Sequence, residues 1–137
     1  MGEAIDLRGA RVLVVDDDED NREMLASVLT HSGARVATAE NAAEALTAFE
    51  RERPHILISD IGLPDEDGYN LLRKLRALPV TSGGADVPAI ALSGYGDPED
   101  CAAASLAGFQ AHLTKPVELP IVVATVARFL RPVPNET

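Results

Sequence analysis

Five short apolar runs recur along the chain, separated by longer segments of mixed polarity. Each run is three or four residues long and shows no strict alternation of polar and apolar residues. The runs are Val12–Val15, Val36–Thr38, Ile56–Ile58, Ala89–Leu92 and Ala111–Leu113. Such runs are typical of strands covered on both faces, as in a parallel sheet, although periodicity alone does not exclude a buried helix segment. The segments between the runs therefore decide the interpretation.

Each intervening segment carries apolar residues at helical spacing. The first helix follows an acidic start, and the second follows Asn41, with Glu44 three residues later. The fourth is predicted to start at Asp97–Pro98 and to stop near Gly108, and the fifth to run over about residues 118–129. The apolar positions are Met24, Leu25, Val28 and Leu29 in the first helix, Leu46 and Phe49 in the second, Leu71, Leu72, Leu75 and Leu78 in the third, and Val122, Val123 and Val126 in the fifth.

Five successive strand–helix units predict an α/β fold, because parallel strands need crossover helices. We expect a doubly wound five-stranded parallel sheet of flavodoxin-like strand order 2-1-3-4-5, with five helices. In that order a ligand site lies beyond the carboxyl ends of strands one and three. One domain is predicted over residues 11–131, with a tail or linker at 1–10, a tail at 132–137 and a long loop over Pro79–Pro88.

The charge balance narrows the function. Twelve Lys and Arg stand against twenty-two Asp and Glu, which gives a net charge of −10. Such a chain repels phosphates and anionic lipid, so we expect no nucleic-acid binding and no membrane contact by this domain. The single cysteine, Cys101, forms no internal disulfide, and no leader pattern opens the chain. The expected location is the cytoplasm.

Acidic residues follow two of the predicted strands directly. Asp16 and Asp17 come after strand one and Asp60 after strand three, so the predicted sheet brings them to one pocket. Two carboxylates about 4 Å apart repel by about 1 kcal/mol in water and about 4 kcal/mol at the effective dielectric of a protein surface. A hard divalent cation relieves this cost, and oxygen ligands match Mg²⁺, or Mn²⁺, better than zinc.

A hydroxyl and an ammonium complete the predicted pocket. Ser93 ends strand four and Lys115 follows strand five. A divalent cation, Lys115, Ser93 and a backbone amide are the kind of groups that hold the oxygens of a phosphoryl group during transfer. Asp60 is then the predicted acceptor.

Four sequence motifs resemble those of response-regulator receiver domains. They are Val-Asp-Asp-Asp after strand one, Ser-Asp-Ile-Gly-Leu-Pro-Asp-Glu-Asp-Gly at 59–68, Leu-Ser-Gly at 92–94 and Lys-Pro at 115–116, and the resemblance covers residues 11–131. It implies that Asp60 is the phosphoacceptor, that Asp17 ligates the metal directly and that Asp16 acts mostly through metal-bound water. It further implies that Gly62 gives its backbone carbonyl to the metal.

The same resemblance implies a switch. Ser93 is the switch hydroxyl, Lys115 is the lysine of the pattern, and the Lys115–Pro116 bond is expected to be cis. Receivers often carry Tyr or Phe three residues before the lysine, where this chain has His112. Because histidine can be charged near neutral pH, the coupling of His112 to Ser93 is predicted to depend on pH.

The resemblance also implies partners. The phosphoryl donor is a histidine kinase or a histidine phosphotransfer domain, and the chain is a switch that assists its own phosphorylation and dephosphorylation rather than an enzyme. The output face is helix four, strand five and helix five, through which the domain could dimerise. Residues 5–11 resemble the linker that precedes receivers at the end of hybrid histidine kinases.

Two other classes were weighed against this interpretation. Haloacid-dehalogenase-like phosphatases also use a strand-end Asp, Mg²⁺ and a Lys, but they place Thr or Val where this chain has Asp20, and they often carry a cap domain. Asp16-x-Asp18-x-Asp20 resembles the opening of a calcium-binding loop, but position six is Asn21 and position twelve is Ser27.

Overall fold

A computed structural model describes residues 6–79, 86–94 and 98–130, and within them strands and helices alternate. The predicted order of five strand–helix units is confirmed. The elements are β1 (Arg11–Val15), α1 (Glu19–His31), β2 (Arg35–Ala39), α2 (Ala42–Glu52), β3 (Ile56–Asp60), α3 (Gly68–Arg76), β4 (Ala89–Ser93), α4 (Pro98–Ala107), β5 (Ala111–Thr114) and α5 (Leu119–Leu130).

The five strands form one parallel sheet in the order β2-β1-β3-β4-β5, as predicted. Its register brings the carboxyl ends of the strands level with one another. Val15 lies opposite Ser59, Asp60 lies opposite Leu92, and Ser93 lies opposite Thr114. The residues that follow β1, β3, β4 and β5 therefore share one edge of the sheet.

The core fills both faces of the sheet. Every residue of β3 and β4 is buried, whereas β2 and β5 at the sides are only partly covered. Phe49, Leu71 and Leu75 pack from α2 and α3 on one face, and Leu25 and Val122 from α1 and α5 on the other. Burying one such side chain contributes about 1.5–3 kcal/mol. The central strands are thus held rigidly. The backbone positions that carry the side chains at the strand ends are therefore fixed.

Local polar residues define the helix ends. Asp18, Asn41 and Asp67 are the N-caps of α1, α2 and α3, and each side chain accepts a hydrogen bond from a backbone N–H of the first turn. Helix α4 starts at Pro98 and ends before Gly108, as predicted. Gly108 has φ +110°, a left-handed conformation that suits glycine at the end of a helix.

Residues 6–10, predicted to belong to a tail or linker, pack on the domain. The Leu7 side chain is buried, and the Leu7 N–H donates to the Ser32 carbonyl at 2.7 Å. Ala10 is buried as well. Both residues belong to the apolar cluster that α1 and α5 cover on this face of the sheet. The tail at 132–137, most of the predicted loop over Pro79–Pro88 and the helix start at Asp97 lie outside the described residues.

Candidate functional site

Three carboxylates meet where the sheet order reverses. Asp16 and Asp17 follow β1, Asp60 ends β3, and one ligand oxygen from each lies within 4.8 Å of the others. Asp16 and Asp60 are buried, whereas Asp17 is exposed. The structure thus brings together the three acids that the sequence predicted to converge.

Asp16 is the most deeply buried of these acids. Its Oδ1 accepts a hydrogen bond from the Asp18 N–H at 3.0 Å. Its Oδ2 is buried and accepts no hydrogen bond; Lys115 Nζ lies 3.2 Å from it as an ion-pair partner. Burial raises the pKa of Asp16, and the Asp18 N–H and the Lys115 charge only partly oppose the increase. An unsatisfied buried carboxylate oxygen is costly.

Asp60 is held from both sides. Its Oδ1 accepts from the Gly62 N–H at 3.1 Å, and its Oδ2 accepts from Lys115 Nζ at 2.8 Å. Burial lowers the pKa of Lys115, but its contacts with Asp60 and Asp16 outweigh that effect and hold the pKa above its usual value. Lys115 therefore remains a cation shared by two carboxylates.

The ends of β4 and β5 supply the remaining predicted groups. Ser93 is buried, with an exposed fraction of 6%. The Lys115 N–H donates to the Ser93 carbonyl at 2.7 Å, so the two strand ends are joined directly. The Lys115–Pro116 peptide bond is cis. Gly62 is exposed in the loop after β3.

His112 lies in β5 opposite Ala91 of β4. Because side chains alternate along a strand, Ala91 and Ser93 leave the sheet on one face, and His112 leaves it on that face too. His112 is half-buried and lines, with Ala104 and Ser105 of α4, a small cavity of about 130 Å³. It therefore lies between the sheet and α4, on the same side as Ser93.

Two site contacts were missed by sequence reasoning. Arg22 in α1 donates from Nη1 to the Asp16 carbonyl at 2.9 Å, which fixes the chain at the end of β1. Asp65, for which the sequence predicted no role beyond the motif at 59–68, accepts hydrogen bonds from the Ala42 and Ala43 N–H groups at 2.9 and 3.0 Å. No spacing rule connects a loop acid with a helix start more than twenty residues earlier.

Helix α3 begins directly against the end of β3. A Cβ on Gly68 would lie 2.6 Å from the Asp60 carbonyl oxygen and 3.0 Å from the Ile61 Cα. Those atoms belong to the backbone and cannot move aside cheaply. The Gly68 N–H also donates to the Ile61 carbonyl at 2.7 Å. Only glycine fits here.

The site has the chemistry of a hard divalent cation site. Its donors are carboxylate oxygens, and no His or Cys belongs to the described cluster. The burial of Asp16 and the mutual repulsion of three acids both favour a cation that takes oxygen ligands. The residues present therefore fit Mg²⁺.

Comparisons with known proteins agree with this geometry. Residues 12–127 match the family model of the response regulator receiver domain. The chain is 48% identical over 107 residues to the "Uncharacterized 14.6 kDa protein in sodA1 3′ region" of Leptolyngbya boryana, covering 78% of this chain and 79% of the relative. It is 40% identical to the transcriptional regulatory protein PrrA of Mycobacterium tuberculosis, covering 88% of this chain and 50% of that protein.

The fold has solved counterparts as well. The crystal structure of a putative response regulator from Chloroflexus aurantiacus superimposes with a TM-score of 0.81 at 35% identity, covering 88% of this chain and 96% of that chain. The chain spans only about half the length of PrrA, so it corresponds to one part of that relative. Within the described ranges, no helix has both the length and the apolar character of a membrane span.

Proposed function

This chain belongs to the response regulator receiver domain family, and from that premise we propose that it accepts a phosphoryl group on Asp60 in a Mg²⁺-dependent reaction. The single observation that carries the proposal is the grouping of Asp60 with two further acids and the Lys115 ammonium at one end of the sheet. Receiver domains take phosphoryl groups from histidine kinases or phosphotransfer proteins. They are signalling switches rather than conventional enzymes.

In the proposed transfer, one carboxylate oxygen of Asp60 attacks the phosphorus of a phosphohistidine in line with the bond that breaks. The N–P bond breaks as the O–P bond forms, and the imidazole nitrogen keeps the electron pair and takes a proton from solvent. Lys115 stays within reach of the acceptor, since its Nζ already lies 2.8 Å from Asp60 Oδ2. It and the Ser93 hydroxyl hold oxygens of the transferred group.

Asp16, Asp17, Asp60 and the Gly62 carbonyl would hold the metal ion. Mg²⁺, for which Mn²⁺ can substitute, supplies charge neutralisation for the phosphoryl oxygens when bound. The Gly62 N–H orients Asp60 through Oδ1, which leaves Oδ2 toward Lys115. Asp17 is exposed and is the acid that an incoming ion meets first.

The added charge is the proposed trigger. A phosphoryl group carries about −1.5 to −2 charge at neutral pH, and it draws Ser93 toward its oxygens. His112, on the same face of the sheet, follows Ser93 and changes the surface of α4, β5 and α5. That surface is the proposed output face, and it is the face through which a dimer would form.

The donor we propose is a histidine kinase or a histidine phosphotransfer domain. The functional unit is residues 11–131, carried either alone or at the end of a hybrid histidine kinase, in the cytoplasm. The net charge of −10 supports a domain that itself binds neither nucleic acid nor anionic membrane.

Replacement of the acceptor tests the proposal. Asp60→Asn keeps the size of the side chain but removes the nucleophilic carboxylate, so the mass gain of one phosphoryl group on treatment with acetyl phosphate and Mg²⁺ should disappear. Asp18→Asn is the matched control, because Asn caps a helix as well as Asp does and Asp18 lies at the same edge.

Intact-mass spectrometry reads both variants. Retention of a full single phosphorylation by Asp60→Asn would disprove the assignment. Repeated turnover of simple phosphate esters by the unaltered protein would favour a phosphatase instead.

A further inference from the structure

We propose that Asp65 is a positioning residue that sets the separation between the two halves of the metal site. One half is the end of β1, with Asp16 and Asp17; the other is the loop after β3, with Gly62. Asp65 acts by joining that loop to the first turn of α2 through hydrogen bonds. The inference rests on the function proposed above, because it concerns the same site.

Both carboxylate oxygens of Asp65 accept hydrogen bonds from α2. Asp65 Oδ1 accepts from the Ala42 N–H at 2.9 Å, and Oδ2 accepts from the Ala43 N–H at 3.0 Å. These are the first two N–H groups of α2, which have no partner within the helix. The hydrogen bond from Ala42, followed by those from Ala43 and neighbouring N–H groups, lowers the pKa of Asp65, so this acid stays ionised at neutral pH. A carboxylate also suits the positive end of the helix dipole.

The same turn of α2 is tied to β1. The Asp16 N–H donates to the carbonyl of Ala39, the last residue of β2, at 3.1 Å. Two residues separate Ala39 from α2, and Asn41 closes this short link by accepting from the Glu44 N–H at 2.8 Å. Glu44 in turn accepts from the Glu40 N–H at 3.1 Å, which fixes the link at its other end.

These contacts form a closed circuit. It runs from Asp16 through Ala39 to the start of α2, crosses to Asp65, and returns along the loop through Gly62 to Asp60. The far end of the loop is fixed separately, because Glu66 pairs with Lys74 of α3 at 2.6 Å. Asp65 is the only side chain in this circuit that joins the loop to α2 among the described hydrogen bonds, so its loss opens the circuit at one place.

A merely structural role would make Asp65 one more cap of α2. Asn41→Ala separates the two roles, because it removes a cap from the same turn and leaves the hydrogen bonds between Asp65 and α2 intact. Asp65→Ala removes the hydrogen bonds between the loop and α2 and leaves the Asn41 cap. Asp65→Asn keeps one acceptor oxygen and serves as the conservative variant.

Mg²⁺ titrations followed by NMR on the full chain provide the first measurement. For Asp65→Ala we expect the Mg²⁺ dissociation constant to rise about tenfold, the lower end of what loss of supporting contacts costs a metal site. Asp65→Asn should recover part of this loss, and Asn41→Ala should stay within about twofold of the unaltered protein. Equal weakening by Asp65→Ala and Asn41→Ala would overturn the proposal.

The second measurement needs no metal. In Mg²⁺-free protein, Asp65→Ala should shift the backbone amide signals of Gly62 and Asp17 as well as those of Ala42 and Ala43. Asn41→Ala should move signals of α2 and of the link before it, but not that of Gly62. Confinement of the Asp65→Ala changes to α2 would reject the positioning role. This arm decides the inference even if Asp60 proves not to be the acceptor, which the mass measurement on Asp60→Asn tests independently.

Discussion

The amino edge of the sheet, where the strands begin, and the carboxyl edge, where they end, differ in how their charged groups are paired. At the amino edge, Arg11 donates from Nε to the carbonyls of Glu52 and Arg53, at 3.1 Å each, and its N–H donates to His55 Nδ1 at 3.0 Å. At the carboxyl edge three carboxylates lie together, two of them share the Lys115 ammonium, and Asp16 Oδ2 accepts no hydrogen bond. One edge is electrostatically satisfied and the other is short of positive charge. We infer that the first serves stability and the second serves binding.

The largest effect expected from this contrast is stabilisation by Mg²⁺. At a concentration of about 100 times its dissociation constant, the ion should raise the free energy of unfolding by about 2.7 kcal/mol, because it binds the folded site alone. Urea unfolding followed by circular dichroism, with and without Mg²⁺, measures the gain.

Variants at the two edges assign that gain to its site. Asp17→Asn should lose most of it, since one ligand of the cluster is gone. Arg11→Met, at the opposite edge, should keep all of it. If Asp17→Asn gained as much stability from Mg²⁺ as the unaltered protein, the acids would not be the binding site.

The next effect concerns the metal-free domain, in which the two edges should respond with opposite sign. Arg11→Met should lower the free energy of unfolding by about 1–2 kcal/mol, because two charged hydrogen bonds are lost while the side-chain stem is kept. Asp16→Asn should raise it by about 1 kcal/mol, because it removes repulsion within the cluster while Asn can still accept from the Asp18 N–H.

The same unfolding assay in Mg²⁺-free buffer compares these variants. Destabilisation by both substitutions would show that the carboxyl edge is not under electrostatic strain, and the contrast between the edges would fail.

The smallest effect is a pH dependence at the amino edge. Burial, and then the Arg11 charge, lower the pKa of His55 from its usual value of 6.5. The unfolded chain therefore takes up this proton at a higher pH than the folded protein does, so stability should fall as the pH drops below 6.5. Above 6.5 both states are neutral at His55 and the contribution is constant.

His55→Gln should flatten this part of the stability profile without removing the slopes due to other groups. The measurement is the free energy of unfolding between pH 7.5 and 5.5 for both proteins. Superimposable profiles would mean that His55 titrates alike in the folded and unfolded chain.

Much of the carboxyl edge could be predicted from sequence because its residues follow apolar strands directly. Asp16, Asp60 and Ser93 each end or follow a run whose burial the sequence already indicated, and parallel strands bring such positions together. The strand order could be predicted once the chain was assigned to the doubly wound topology. The roles of these residues in phosphoryl transfer stay predictions until the variants above are measured.

Other contacts could not be predicted, because they depend on how loops fold back. Asp65 in the loop after β3 reaches the start of α2, and Arg22 reaches the Asp16 carbonyl from α1. Leu7 looked like part of a linker because the short segment before β1 carries no helical or strand run of its own, yet it is buried against the domain. Long-range contacts of isolated residues leave no local pattern.

The close approach at Gly68 makes the connection between β3 and α3 stiff. After β3 the chain turns into α3 with the two backbones in direct contact, since an added Cβ at Gly68 would lie 2.6 Å from the Asp60 carbonyl oxygen. A mechanical load applied at Asp60 is therefore carried through backbone contact into the start of α3.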